Sequence, residues 1–284
     1  MKNLVIVVVL ILAGFGAWYY FTATQPVEPE LAVEAPSPVR TTVPETAPPT
    51  VMEAEEPEVV LQPEPGFEAV TQPRVEEIPL PMLEDSDAVV LDSLGGLIGI
   101  PAVGRYVVSD NVISRIVATI DTLGSRQIPA VVQVVEGPQS MFVATANDQP
   151  EETIRNEEGD EIPQFVIDPA NFDRYTPYVE MLEGVDVNEL VGLYRSHYPL
   201  FRQAYQQMGY GDGDFSGRLA EIIDELLATP VVDRPVELMK PEAYFLFTDP
   251  GLEARPAGQK ILLRMGNENA ARVKVKLLEI RQAL

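Results

Sequence analysis

Asp212, Gly213, Asp214, Phe215, Ser216 and Gly217 carry the densest chemistry in this sequence. Counted from Asp212, oxygen-bearing side chains stand at positions 1, 3 and 5 and a glycine at position 6, the opening of an EF-hand calcium loop. Position 12 of such a loop supplies a bidentate glutamate, and here it is Ile223, in step with the apolar face of the next helix. What remains is a weak Ca²⁺ site in which Asp212 and Asp214 share the ion with solvent. A phosphate cradle is excluded, because no G-x-x-x-x-G-K-[ST] is present and two aspartates repel the anion. The same residues have a simpler use: Gly211 and Gly213 permit a tight turn, and Asp214 caps the helix after it.

Two other groupings invite catalytic readings. In Ser196-His197 the neighbours point about 100° apart on a helix, which argues against a nucleophile–base pair, and no G-x-S-x-G elbow exists. His197 falls on the apolar stripe with Leu193, Leu200 and Ala204, the place of a hydrogen-bonded core or rim histidine. Glu221, Asp224 and Glu225 could pair for glycoside cleavage, yet they share the polar side of their helix, with Arg218 three residues before Glu221. No catalytic residue and no cofactor is therefore assigned. Tyr194 and Tyr198, in a ladder with Phe201 and Tyr205, read first as packing; were they to open into a groove, their hydroxyls would suit a sugar or peptide partner.

Composition narrows the field further. The chain has 284 residues, no Cys, one His and a net charge of -24. Disulfides, thiolate metal sites, cysteine nucleophiles and lipid-bearing cysteines are absent, and with His197 as the only imidazole, zinc or iron sites built on histidine pairs are not expected. Nucleic acid is not expected as a partner of so acidic a chain.

The elements that would position these residues fall into three parts. Residues 3–21 are uncharged, close to the length that spans a bilayer, and end in Trp18, Tyr19, Tyr20 and Phe21. With Lys2 before this run and no Lys or Arg after it until Arg40, a single transmembrane anchor is expected over residues 1–21. The positive-inside rule puts its N-terminus in the cytoplasm and the rest outside, in the periplasm of a bacterium. Residues 22–81 hold 13 of the 26 prolines and 12 acidic residues against Arg40 and Arg74, the composition of a disordered acidic stalk.

From residue 82 to 284 the composition is globular, and an α+β, predominantly helical domain with a small sheet is expected. Apolar spacing predicts helices from Ser86 toward Leu94, stopped by Gly95-Gly96, and from a Ser109 cap to Gly124. Alternation predicts strands at 129–135, 141–145 and 164–167, with a shorter one around 244–247. Further helices are expected at 171–182, at 186–208 with Pro199 kinking or breaking it, at 215–228, at 257–265, and at 267–284 with Asn267 as cap.

Five passages carry a resemblance: LPMLEDSDA from Leu80, IDPANFDRYTPYV from Ile167, LYRSHYPLFRQAYQQMGY from Leu193, FSGRLAEIIDELLATP from Phe215 and GQKILLRMGNENAARVK from Gly258. Together they resemble an uncharacterised bacterial family, domain of unknown function 3014. The resemblance implies a membrane-tethered envelope protein and carries no activity. It also implies an Asn-Asp pair after the phenylalanine where this chain has Ser216-Gly217.

Charge is distributed unevenly. Arg255 to Leu284 carries seven basic and two acidic residues, whereas Met82 to Ala254 carries 10 basic and 30 acidic. Either this basic end docks onto the acidic body, or Arg264, Arg272, Lys274, Lys276 and Arg281 face an anionic partner such as a cell-wall polymer or an acidic envelope protein. The expectation is a non-enzymatic, inner-membrane-anchored periplasmic interaction or scaffolding protein. Its rival is a cell-envelope hydrolase using acidic residues, with or without Ca²⁺.

Overall fold

Val112, Ile113, Ile116, Val117 and Ile120 recur at helical spacing. In the computed structural model, which describes residues 80–138, 141–241 and 244–284, they form the buried face of a helix, Val112–Leu123. The anchor and nearly all of the stalk expected from the sequence lie outside the described residues.

Two helices precede it, α1 (Asp87–Ile98) and α2 (Ile100–Tyr106), making Val112–Leu123 α3. Gly95-Gly96 does not stop α1. Leu94 is fully buried and Leu97 and Ile98 pack on the core, and that burial offsets the roughly 1 kcal/mol each glycine costs a helix. Ser109 is not the cap of α3 either. The Asp87 carboxylate accepts from the N–H groups of Asn111 and Val112, both at 2.8 Å, and so caps α3 from α1. Among the described residues no single helix is long and apolar enough to cross a membrane; α1 and α2 pass that test only together, across a 117° bend.

The strand expected at 129–135 is instead a 3₁₀ turn, Ala130–Val132, with one isolated bridge from Val135 to Val107. Side chains of α3 take the carbonyls that a neighbouring strand would need. Thr119 donates to Val132 O at 2.7 Å, and Arg115 to Val131 O at 2.7 Å and Gln133 O at 3.1 Å.

The sheet is small and antiparallel, in the order β1 (Ala144–Ala146), β2 (Gln164–Ile167), β3 (Glu237–Met239) and β4 (Leu246–Phe247). Ala144 faces Ile167, Phe165 faces Leu238, and Leu238 faces Phe247. One face covers an apolar cluster of Phe142, Ile167, Leu238, Phe247, Leu252 and Leu263.

Six more helices follow among the described residues, one of them short, at Pro250–Glu253. They are α4 (Ala170–Glu183), α5 (Val187–Tyr205), α6 (Phe215–Leu227), α7 (Pro250–Glu253), α8 (Ala257–Arg264) and α9 (Asn267–Ala283). Asp186 caps α5 as expected, accepting from Asn188 and Glu189 N–H groups. Pro199 does not break α5, which runs on to Tyr205 before a π-type turn, Gln206–Tyr210. Asn267 is the first residue of α9 rather than its cap; Gly266 precedes it, and the Asn267 amide donates to Val232 O at 2.9 Å. The main core lies where α3 meets α5, α6 and α8 and where α9 lies across α4, α5 and α6. Phe201, Phe215, Leu262 and Leu277 are fully buried there.

Candidate functional site

A cleft of about 580 Å³ opens where the start of α4, the turn between α8 and α9 and the segment 232–236 meet. Its floor is apolar, with Ile167, Phe172, Leu263 and Met265. Its rim carries Asp173, Asp233, Arg234, Asn267, Glu268 and Arg272. Two of the five passages quoted above supply most of this lining: IDPANFDRYTPYV gives Phe172 and Asp173, and MGNEN gives Met265 to Asn269.

Local chemistry holds these walls in place. Gly266 has φ of 82°, and a Cβ there would stand 2.9 Å from the Phe172 ring. Only glycine lets the turn adopt this backbone and lets Phe172 pack against it. The buried Asn269 amide donates to Phe172 O at 2.9 Å and Met265 O at 3.2 Å, tying α4 to the turn. Asn171, fully buried, accepts from Val143 N–H at 2.9 Å and donates to Asp168 O at 2.8 Å, which sets β1 against α4. Asp168 accepts the Ala170 N–H and then the Thr145 hydroxyl, which hold its carboxyl below the usual range.

The rim cations are already engaged. Arg272 grips Glu183 through two bonds of 2.9 and 2.6 Å, which lowers the Glu183 pKa and raises its own. Arg234 pairs with Glu151 and lies 3.9 Å from Asp249. Asp173, Asp233 and Glu268 are exposed. Among the described residues no group of three or more His, Asp or Glu side chains comes together closely enough to hold a metal ion. An apolar floor under a polar rim of mixed charge suits a peptide-like chain that turns an apolar side chain inward.

The residues singled out from the sequence lie mostly elsewhere. Asp212 is exposed, and Asp214 caps α6 by accepting from Ser216 N–H at 2.9 Å while Tyr198 donates to it at 3.2 Å. Ile223, at the position an EF-hand gives to glutamate, is buried. Tyr194 is buried, its hydroxyl 2.7 Å from Ser216 Oγ, in a cluster of rings with Tyr198, Phe201 and Phe215.

Arg218 is not simply the partner of Glu221. Its Nε bonds Asp121 Oδ1 at 2.8 Å and its Nη2 bonds Asp121 O at 3.2 Å, with Glu221 more distant at 3.3 Å. Ser196 and His197 do touch, at 3.0 Å, contrary to the angular argument from the sequence. Both turn back to Leu193 O, at 2.8 and 3.1 Å. A carbonyl only accepts, so the ring proton sits on Nδ1, which cannot then take the serine proton. Burial lowers the His197 pKa, and its Nε2 is buried without a partner.

The basic end is turned onto the body. Arg281 pairs with Asp224 at 3.0 Å, Lys276 bonds Val185 O at 3.1 Å and Glu279 at 2.9 Å, and Lys274 bonds Thr229 O. Arg264 donates to Phe245 O at 3.0 Å and lies over the Phe247 ring. Of the five cations, Arg272 alone lines the cleft. The sequence reading gave Asp173, Asn267 and Glu268 no site role, although all three lie in the quoted passages.

The family model for a protein of unknown function, DUF3014, matches residues 112–281, well over half of the chain. This chain belongs to the DUF3014 family. The match takes in α3 to α9 and every residue quoted for the cleft, whereas α1 and α2 lie before it. No curated protein and no solved structure matches this DUF3014 chain.

Proposed function

We propose that this DUF3014 protein is a non-enzymatic interaction module of the cell envelope, anchored by residues 1–21 with its N-terminus in the cytoplasm and its domain in the periplasm. Its cleft holds an extended segment of an envelope protein. One observation carries this reading: this cleft has an apolar floor, a rim of mixed charge and walls fixed by Gly266, Phe172 and Asn269. Such a hollow grips a chain by burying a side chain and pairing its backbone.

A hydrolase is the second reading, because Asp173, Asp233 and Glu268 face one hollow. All three are exposed, whereas a carboxyl acting as general acid is one whose surroundings favour its protonated form. Purified full-length protein incubated with isolated cell-wall polymer, and separately with envelope proteins, distinguishes the two. Binding without soluble fragments supports the module. Fragments that vanish in an Asp173→Asn/Glu268→Gln variant establish the hydrolase, and binding of the polymer alone replaces the proposed protein partner.

A further inference from the structure

α9 turns Ala271, Val275, Leu278 and Gln282 to solvent, at alternating spacings of four and three residues. Val273, Leu277 and Ile280 occupy the opposite side and are buried. Val275 is 62% exposed and Leu278 48%, so the helix carries two apolar stripes and the domain covers one of them. The outer stripe is held rigid, because Arg195 donates to Ala283 O at 3.0 Å and Leu284 O at 3.2 Å. Along one edge runs the segment 229–232, to which Lys274 donates at Thr229 O and the Asn267 amide at Val232 O. Val231, 66% exposed, therefore stands beside the stripe.

We propose that this stripe is a self-association seam, against which the same stripe of a second copy of this chain packs in parallel and in register. In heptad terms Val275 and Gln282 take position a, and Ala271 and Leu278 position d. A β-branched residue at a with leucine at d favours two parallel helices, and a polar residue at a fixes the register.

The flanking charges select both the partner and the direction. Lys274 takes position g and Glu279 position e of the next heptad, the two positions that meet across a parallel pair. Two-fold symmetry makes this contact twice, Lys274 of each copy against Glu279 of the other. An antiparallel pair would instead set Lys274 against Arg281 of the second copy, cation against cation. Lys274 is suited to the task. Arg272 is held by Glu183, Lys276 by Glu279 and Arg281 by Asp224, whereas Lys274 meets no carboxylate among the described residues. Thr229 O takes only one of the three protons that its ammonium offers. Burial lowers its pKa, a cost that an incoming carboxylate offsets. Glu279 is 49% exposed beside Lys276, and a carboxylate accepts more than one donor. The seam is thus complementary to itself. Two heptads make a small interface, below about 1,200 Å² in total, so the pair is weak; docking a helix that is already folded keeps the ordering cost low.

The chain has no Cys, so single introduced cysteines report without background from its own thiols. Full-length Val275→Cys and Leu278→Cys are each expressed in the native cells and treated with a short, membrane-permeant bismaleimide. In-register packing sets each cysteine opposite itself, so each variant should give a crosslinked dimer of this chain. The yield should be about tenfold above that of Asp212→Cys, which is exposed but off the stripe. Glu279→Lys should cut the Leu278→Cys dimer about fivefold, the worth of two exposed ion pairs. Adding Lys274→Glu should restore it, a rescue that a merely structural role does not produce. Val275, Leu278 and Glu279 are exposed, so replacing them leaves the fold in place. A yield no higher than that of Asp212→Cys overturns the proposal, as does a dimer indifferent to both charge variants. Dimers formed only between a Val275→Cys copy and a Leu278→Cys copy would mean antiparallel packing and overturn it too. Crosslinking from both positions to a different protein would replace the second copy with that partner.

Discussion

Two glycine-bearing junctions between helices meet opposite fates in this domain. The junction between α5 and α6 is closed. Tyr205 and Tyr210 stack at 4.3 Å, and a Cβ at Gly213 would stand 2.9 Å from both the Tyr205 ring and Tyr210 O. The Tyr210 hydroxyl and the Arg218 Nε take the two oxygens of Asp121 on α3, each at 2.8 Å. The junction between α8 and α9 is open: Gly266 lets one ring, Phe172, pack against the turn, and the remaining space is the cleft. A loop rich in suggestive oxygens thus serves the scaffold. A plainer Met-Gly-Asn turn borders the cavity. Groups already bonded to each other have little left for a ligand, which is why residue type alone misleads.

The largest effect should come from opening the closed junction. Arg218→Ala leaves the Asp121 carboxylate, whose side chain is only 12% exposed, without its cation. A loss of about 3 kcal/mol is expected in denaturant unfolding, at the lower end for breaking a buried pair. Burial opposes the Arg218 charge, yet the Asp121 bond and charge outweigh it and raise its pKa. A loss under 1 kcal/mol would mean that the lock is surface decoration.

Gly266→Ala should follow, costing about 2 kcal/mol for the left-handed backbone, with the displaced Phe172 ring added. Its signature is a change at the cleft, read as shifted amide signals of Asn269 and Phe172. Tyr210→Phe removes one bond to Asp121 and should cost about 1 kcal/mol.

The smallest effect belongs to the exposed pair beside the cleft. The Arg272 hydrogen bonds hold the Glu183 carboxyl below its ordinary 4.5. Its stabilisation is therefore present above that pH and is lost as pH falls through the lowered value. Glu183 is 41% exposed, so Glu183→Gln should cost under about 1 kcal/mol at pH 7 and progressively less as the pH is lowered from there through the depressed pKa. Unfolding midpoints across that range check both the size and the sign.

Much of this contrast was readable in the chain, and the unread part has a common cause. Local signals found α5 and α6, since the caps Asp186 and Asp214 act within three residues of themselves. They failed where a partner lay far along the chain. Asp87 caps α3 across 24 residues, and Arg115 and Thr119 draw 130–132 out of strand geometry from α3. The cleft depends on such contacts throughout: Asn269 and Phe172 are 97 residues apart, and no periodicity announces their meeting. The basic stretch of α9 left two readings open, docking on the body or facing a partner, and Arg281 and Lys276 find their partners on the body or within the helix itself.

The claim that the open junction is the working one can be tested by placing a photoreactive side chain at exposed positions of both junctions in the full-length protein in its native cells. Asn267 marks the cleft and Asp212 the closed loop. The account predicts a discrete crosslinked partner from position 267 that disappears when Asp173 is replaced by Lys, and none from position 212. The same partner captured from position 212, with nothing from 267, would contradict it.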